Sequence, residues 1–303
     1  MRIVSLLPAA TEIVAALGRL DDLVGVSHEC DYPEAVTEKP RVTACQIQAG
    51  AASGEIDRWV GERLARGEEL FTLDEPLLRE LRPELILTQR LCDVCAPAYG
   101  SVAALAQGLP GPPRVVNLEP SSLEDIFANI ATVAAVIGAT VAGQALLQSL
   151  HDRVEFVRQA ASAAAHAPRV AVLEWLDPPF ASGHWTPELV ALAGGTEMLG
   201  KAREDSARKS WDEVARCQLE LLIIACCGQT AARAGRDWEV VRGLPQVQSI
   251  PAVRAGNVWI ADGNAYFSRP GPRVVDALEI VAEILHPEIF AGMFPDRGVV
   301  RSK

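Results

Sequence analysis

Five short stretches of this chain gather the side chains that could do chemistry. Ser27-His28-Glu29-Cys30-Asp31-Tyr32-Pro33 offers an imidazole, a thiol, two carboxylates and a phenol. Gln89-Arg90-Leu91-Cys92-Asp93-Val94-Cys95 offers an amide and two thiols. Glu174 to Trp185 brings Trp175, Phe180 and Trp185. Ala225-Cys226-Cys227-Gly228-Gln229 brings two adjacent thiols, and Ala261 to Pro270 brings Tyr266, Phe267 and Arg269.

Two kinds of chemistry fit. Thiolates and imidazoles are soft donors, so His28, Cys30, Cys92, Cys95 and Cys226 are candidates to hold zinc, copper(I) or an iron–sulfur centre, or to touch the metal of a bound ligand. Against this, Cys92-x-x-Cys95 has no second C-x-x-C, zinc takes about four ligands, and buried free cysteine commonly acts as a small hydrophobe. Cys226 and Cys227 alternate along extended chain, so at most one faces a site. The aromatic residues point elsewhere. Tyr32, Trp175, Phe180, Trp185, Tyr266 and Phe267 would give a flat or bulky ligand wide apolar contact at low entropy cost. The plainer alternative is that Trp175, Phe180 and Trp185 cap a sheet core.

The elements that must position these residues are legible as strand–helix alternation. Arg2 to Leu6, Leu23 to Val26, Leu85 to Thr88 and Val115 to Asn117 are short apolar runs. Ala9 to Leu17 has helical spacing and stops at Gly18. Continuous apolar strands between helices imply parallel sheets covered on both faces. In such sheets ligands bind beyond the carboxyl ends of strands, and that is where all five stretches fall. From Arg169 the pattern returns: Arg169 to Leu173 mirrors Arg2 to Leu6, Glu220 to Ile224 mirrors Glu84 to Thr88, and Val258 to Ile260 mirrors Val115 to Asn117. Val274 to Leu285 reads as a closing helix.

Between the halves, Ser121 and Glu124 form an S-x-x-E capping box. Leu123, Ile126, Phe127, Ile130, Val133, Ala134, Ile137 and Val141 follow at helical steps, with no proline before Pro168. The spacing predicts one helix over 121–166, about 65 Å long at the usual rise per residue. The expected architecture is therefore α/β: a first lobe at 1–120, a linking long helix at 121–166 and a second lobe at 167–303. Each lobe has a mainly parallel sheet, and the ligand lies in the cleft between them.

Bulk composition narrows the function. The chain has 303 residues and a net charge of −11, and an acidic surface without Lys/Arg runs argues against a nucleic-acid partner. The uncharged stretch from Ile126 to Leu150 is too rich in Ala, Thr, Gly and Gln to be read as a membrane span, so no transmembrane segment is expected. Seven cysteines and an opening unlike a signal peptide suggest a reducing, cytoplasmic location. There is no G-x-S-x-G, Walker A, H-E-x-x-H or strand-following G-x-G-x-x-G motif. Gly194-Gly195 follows a helix and reads as its cap.

The residues together resemble the cobalamin- and siderophore-type periplasmic binding proteins, the substrate-binding components of metal-chelate importers. Ile3-Val4-Ser5-Leu6-Leu7-Pro8-Ala9-Ala10-Thr11-Glu12 is similar to the family's opening strand and helix. Val24 to Ser27 with Asp31-Tyr32-Pro33 is similar to its second strand and loop. Arg82-Pro83-Glu84-Leu85-Ile86 resembles its third strand. Pro178-Pro179-Phe180-Ala181-Ser182-Gly183 followed by Ala193-Gly194-Gly195 is most like the cobalamin branch, and Ser268 to Arg273 resembles the segment opening the final helix. The resemblance implies one long helix between lobes, and Asp31, Tyr32, Phe180, Trp185, Phe267 and Arg269 near the ligand. An insertion at about Val42 to Gly67 and the cysteine-bearing loops depart from the family pattern.

The expected function is thus a solute-binding protein for a corrinoid or related metal chelate, working with an ABC permease. It has no required cofactor and no catalytic residues. His28, Gln89, Trp175 and Tyr266 complete the expected contacts. The alternative is a cytosolic metal-handling protein or enzyme on the same fold, using the cysteine/histidine cluster.

Overall fold

A computed structural model of the chain describes residues 1–47, 50–90 and 97–302. The chain divides into two compact units. The first comprises Met1–Ala51, Glu55–Pro120 and Glu124–Gln148; the second comprises Ala52–Gly54, Ser121–Leu123 and Ser149–Lys303.

In the first unit β1 (Ile3–Ser5) is buried throughout and leads to α1 (Pro8–Ala16). Pro8 suits the first helical turn, where its missing N–H costs nothing. Gly18, at φ 72°, ends the helix with its N–H on the Ala15 carbonyl at 2.9 Å. β2 (Leu23–Val26) follows, then β3 (Thr43–Cys45), α2 (Ser53–Ala65) and β4 (Phe71–Leu73), which belong to the predicted insertion and its flank. Next come α3 (Glu75–Leu81), β5 (Leu85–Thr88), α4 (Tyr99–Gln107) and β6 (Arg114–Asn117). The main sheet has order β2-β1-β5-β6 and every pairing is parallel. β3 and β4 form a separate antiparallel pair, which the apolar-run reading did not reveal. One core joins Val4, Leu6 and Ile86 of the sheet to Leu78, Val102 and Ala106 of the helices.

The single linking helix is corrected to two, α5 (Leu123–Val136) and α6 (Thr140–Ala161). Gly138, at φ 69°, sits between them. Its N–H bonds the Ala135 carbonyl at 3.3 Å, and the Ala139 N–H bonds that of Ala134 at 2.7 Å. This is a helix-ending motif of the glycine-capped kind. Arg19 closes the end by donating to the Ile137 carbonyl at 2.8 Å. The apolar spacing runs through the turn because Val141 follows the buried Ile137 at a helical step, yet Val141 itself is exposed, so periodicity alone hid the break. α5 opens at Leu123, whose N–H donates to the Glu188 carboxylate at 3.0 Å. Among the described residues no helix is long and apolar enough to cross a membrane.

The second unit repeats the first. β7 (Arg169–Leu176) turns back through β8 (Pro179–Ala181), and α7 (Thr186–Leu192) and β9 (Thr196–Glu197) follow. β10 (Ala207–Arg208), α8 (Trp211–Arg216), β11 (Leu221–Ile224) and α9 (Ala231–Val241) come next. α10 (Pro245–Gln248), α11 (Pro251–Arg254) and β12 (Val258–Ile260) lead to α12 (Val274–Leu285), α13 (Pro287–Phe290) and β13 (Val300–Arg301). The sheet order is β10-β8-β7-β11-β12-β13, with β9 beside β7. The parallel centre β7-β11-β12 reproduces β1-β5-β6. The sequence repeat is therefore a topological one. α8 begins with a capping box in which Ser210 and Glu213 satisfy each other's backbone N–H groups.

Candidate functional site

In the first unit the loop after β2 carries the densest chemistry. His28 is half-buried. Its backbone N–H donates to Thr43 Oγ1 at 2.9 Å, and its Nδ1 lies 2.7 Å from the same oxygen. Its ring stands 5.5 Å from that of Phe71. Burial, then the Arg41 charge, pulls the His28 pKa below the ordinary imidazole range. The imidazole is therefore neutral near pH 7. Asp31 and Tyr32 follow on the exposed face of the loop, with Tyr32 49% exposed. Gln89, directly after β5, is buried.

The thiols divide differently from the sequence expectation. Cys30 is buried, and its Sγ lies 3.1 Å from Thr11 Oγ1 of α1. Cys226 is buried at the end of β11, where burial first and Asp237 second push its thiol far above the ordinary range. Neither is exposed, as a reactive thiolate is. Cys227, the next residue, is half-buried in the turn that follows. Cys45 on β3 is a thiol the sequence reading passed over. It pairs across the strands with Phe71, and burial raises its pKa, with Glu29 adding to the rise. Among the described residues no three His, Cys, Asp or Glu side chains form a metal-ligand group. Cys92 and Cys95 lie outside the described residues.

In the second unit, β7 runs three residues past its predicted end. Trp175 and Phe180, expected in a loop, are instead directly paired across the β7–β8 hairpin. Both are half-buried; Trp175 packs on the core and Phe180 carries the Arg208 guanidinium 5.2 Å above its ring. Trp185 and Phe267 are buried, at 6% and 2% exposure. The Trp185 indole N–H donates to the Phe267 carbonyl at 3.1 Å. Arg269 is also buried and donates to Asn264 Oδ1 at 3.0 Å. These three residues brace the π-helical turn at Gly263–Phe267. Tyr266 stays half-buried under Arg273, 5.6 Å away, and burial raises its phenol pKa. Tyr32, Trp175, Phe180 and Tyr266 are thus the aromatics that keep accessible surface. Trp185 and Phe267 are spent on the core.

A second polar group in this unit escaped the sequence reading. Asp237 of α9 receives the Ser53 hydroxyl, Gln229 Nε2 at 3.0 Å and Arg233 Nε at 3.4 Å. Arg233 and Asp237 stand four apart, a spacing that signals an ion pair on one helix face. Nothing local pointed to Ser53, 184 positions away.

The family model of the periplasmic binding proteins matches residues 3–265. The chain belongs to the periplasmic binding protein family. Membership overturns the cytoplasmic expectation, which rested on the cysteine count and the first residues: the family is periplasmic. The vitamin B12-binding protein of Vibrio cholerae is 24% identical over 287 residues, covering 94% of this chain and 88% of the relative. The vitamin B12-binding protein of Yersinia pestis is 23% identical over 281 residues, covering 92% and 84%. The solved periplasmic heme-binding protein of Pseudomonas aeruginosa superposes with a TM-score of 0.72 at 19% identity, over 95% of this binding protein and 93% of that chain. At such identities the solved structure speaks for the fold alone.

Proposed function

We propose that this periplasmic binding protein carries a corrinoid or a related flat metal chelate for an ABC permease and catalyses no reaction. The observation that carries the reading is the set of aromatic residues that keep accessible surface near strand ends: Tyr32 in the first unit, Trp175, Phe180 and Tyr266 in the second. Planar chelates are held by aromatic faces at low entropy cost. Relatives named for vitamin B12 support the corrinoid, and structural neighbours named for heme support the wider chelate class.

The contacts proposed are His28, Asp31, Tyr32, Trp175, Phe180 and Tyr266. Gln89, Trp185, Phe267 and Arg269 support them from beneath. The test is titration of the purified protein with cyanocobalamin and, separately, hemin, followed by tryptophan fluorescence and calorimetry. Saturable binding of one chelate at one equivalent, weakened about tenfold or more by Tyr32→Ala or Phe180→Ala, is expected. Binding of neither chelate would sink the reading. The metal-handling alternative has no described metal-ligand group behind it.

A further inference from the structure

Ala52–Gly54, the stretch that opens α2, belongs to the second unit, and its contacts there are specific. The Ser53 hydroxyl donates to the Asp237 carboxylate. Gln229 Nε2 donates to that carboxylate at 3.0 Å and reaches Ser53 Oγ at 3.4 Å. The Trp175 indole N–H donates to the Ser53 carbonyl at 3.3 Å. Gly54 lies so close to Asp177 that a Cβ would collide with the Asp177 carboxylate. Trp175, Asp177 and Gln229 all stand at the carboxyl ends of β7 or β11. Ser53 and Gly54 therefore fill a socket at the edge of the sheet where a ligand is expected.

The socket is incompletely satisfied. Gln229 is 6% exposed, and its Oε1 is buried with no hydrogen-bond partner among the described residues. Turning the amide over would not help, because Oε1 would then face the Asp237 carboxylate. A buried acceptor without a donor is costly. Ser53 cannot supply the donor, since its one hydroxyl hydrogen is committed to Asp237.

We propose that Ser53 and Gly54 form a displaceable latch, and that a solute edge carrying N–H donors takes their place beside Gln229 and Asp237. This rests on the chelate reading above and sharpens it. The latch leaves behind two acceptors, the Gln229 amide oxygen and the Asp237 carboxylate, and one donor, the Trp175 indole N–H, a set that suits groups able both to donate and to accept. They favour carboxamide side chains, which ring a corrinoid, and repel the propionates of heme. Displacement frees the first turn of α2, so solute occupancy is reported by the insertion.

The experiment compares the unmodified protein with its Ser53→Ala variant. Cyanocobalamin and hemin affinities are measured by calorimetry, and amide hydrogen exchange over residues 53–65 is followed by mass spectrometry. Ser53→Ala is expected to bind cyanocobalamin about tenfold tighter, since a competitor held by hydrogen bonds has been weakened. Cyanocobalamin is expected to speed exchange in the first turn of α2 in the unmodified protein. Binding that is unchanged or weaker in the variant, or exchange that cyanocobalamin leaves unchanged, overturns the latch while the carrier reading stands. A gain for hemin equal to that for cyanocobalamin overturns the amide preference. Failure of both proteins to bind either chelate overturns the carrier reading and, with it, solute-driven release.

Discussion

Arg2 donates its backbone N–H to the Glu84 carboxylate at 2.7 Å, across 82 positions of chain. The second unit makes the same bond between Arg169 and Glu220 at 2.9 Å. In both, the arginine Nε also donates to the carbonyl of a residue shortly before the glutamate, Leu81 or Gln218. The two pairs pin the first strand of each unit to the chain entering the next parallel strand. The backbone hydrogen bond from Arg169, above all, holds the Glu220 carboxyl below its ordinary range. A depressed carboxyl contributes stability that is complete above its unfolded value of about 4.3 and is lost as pH falls through the folded one. Glu220→Gln is therefore expected to flatten the fall in melting temperature below about pH 5. An unchanged slope in pH-resolved calorimetry would count against the pairing.

Gly138 takes a left-handed conformation between α5 and α6, where a Cβ is strained. Gly138→Ala is expected to lower stability by about 1 kcal/mol, measured by urea unfolding. If instead the variant gains stability and helical ellipticity, the turn is not the one described.

Trp185→Phe keeps an aromatic ring at a buried position, at the cost of some packing volume, and strips the indole N–H from the Phe267 carbonyl. An unpaired buried carbonyl costs about 1–3 kcal/mol. The melting temperature should fall, and exchange of the Gly263–Phe267 amides should quicken. A variant as stable as the parent would mean the bond is replaced by water.

His28 is expected to titrate below the ordinary imidazole value, because burial and Arg41 disfavour its proton. Its contribution to stability is then whole above the unfolded value and declines as pH falls toward the folded one. Proton NMR of the imidazole resonances gives the midpoint directly. A midpoint at or above the unfolded value would show that Glu29, 3.9 Å from Nε2, outweighs burial.

The parts of the fold carried by local pattern were readable. β2, β5, β12 and α12 were placed at their observed limits, because each is a short apolar run or periodic stretch between polar or breaking residues. The repeat was readable too, since Glu84 and Glu220 mark the same corner in both units. Features set by distant partners were not. β3, β8 and β13 are short antiparallel additions whose pairing depends on strands elsewhere. Gly138 was hidden by apolar residues on both sides of it. Sequence shows which loop holds Cys30 but not that its Sγ lies against Thr11, and its expected partners Cys92 and Cys95 lie outside the described residues.

α12 is buried along nearly its whole length, from Val274 to Leu285. It follows in synthesis the α6, α7 and π-helical segments it packs against or is bonded to, including Arg153 of α6 through Asp276 and Glu279. A nascent second unit therefore has its strands β7 to β12 before it has the helix that covers α7 and the π-helical turn. During that interval apolar surface on α7 and the π-helical turn lies open to chaperones, proteases and other chains. The time this chain is vulnerable is set less by how fast its strands pair than by how soon one late helix arrives.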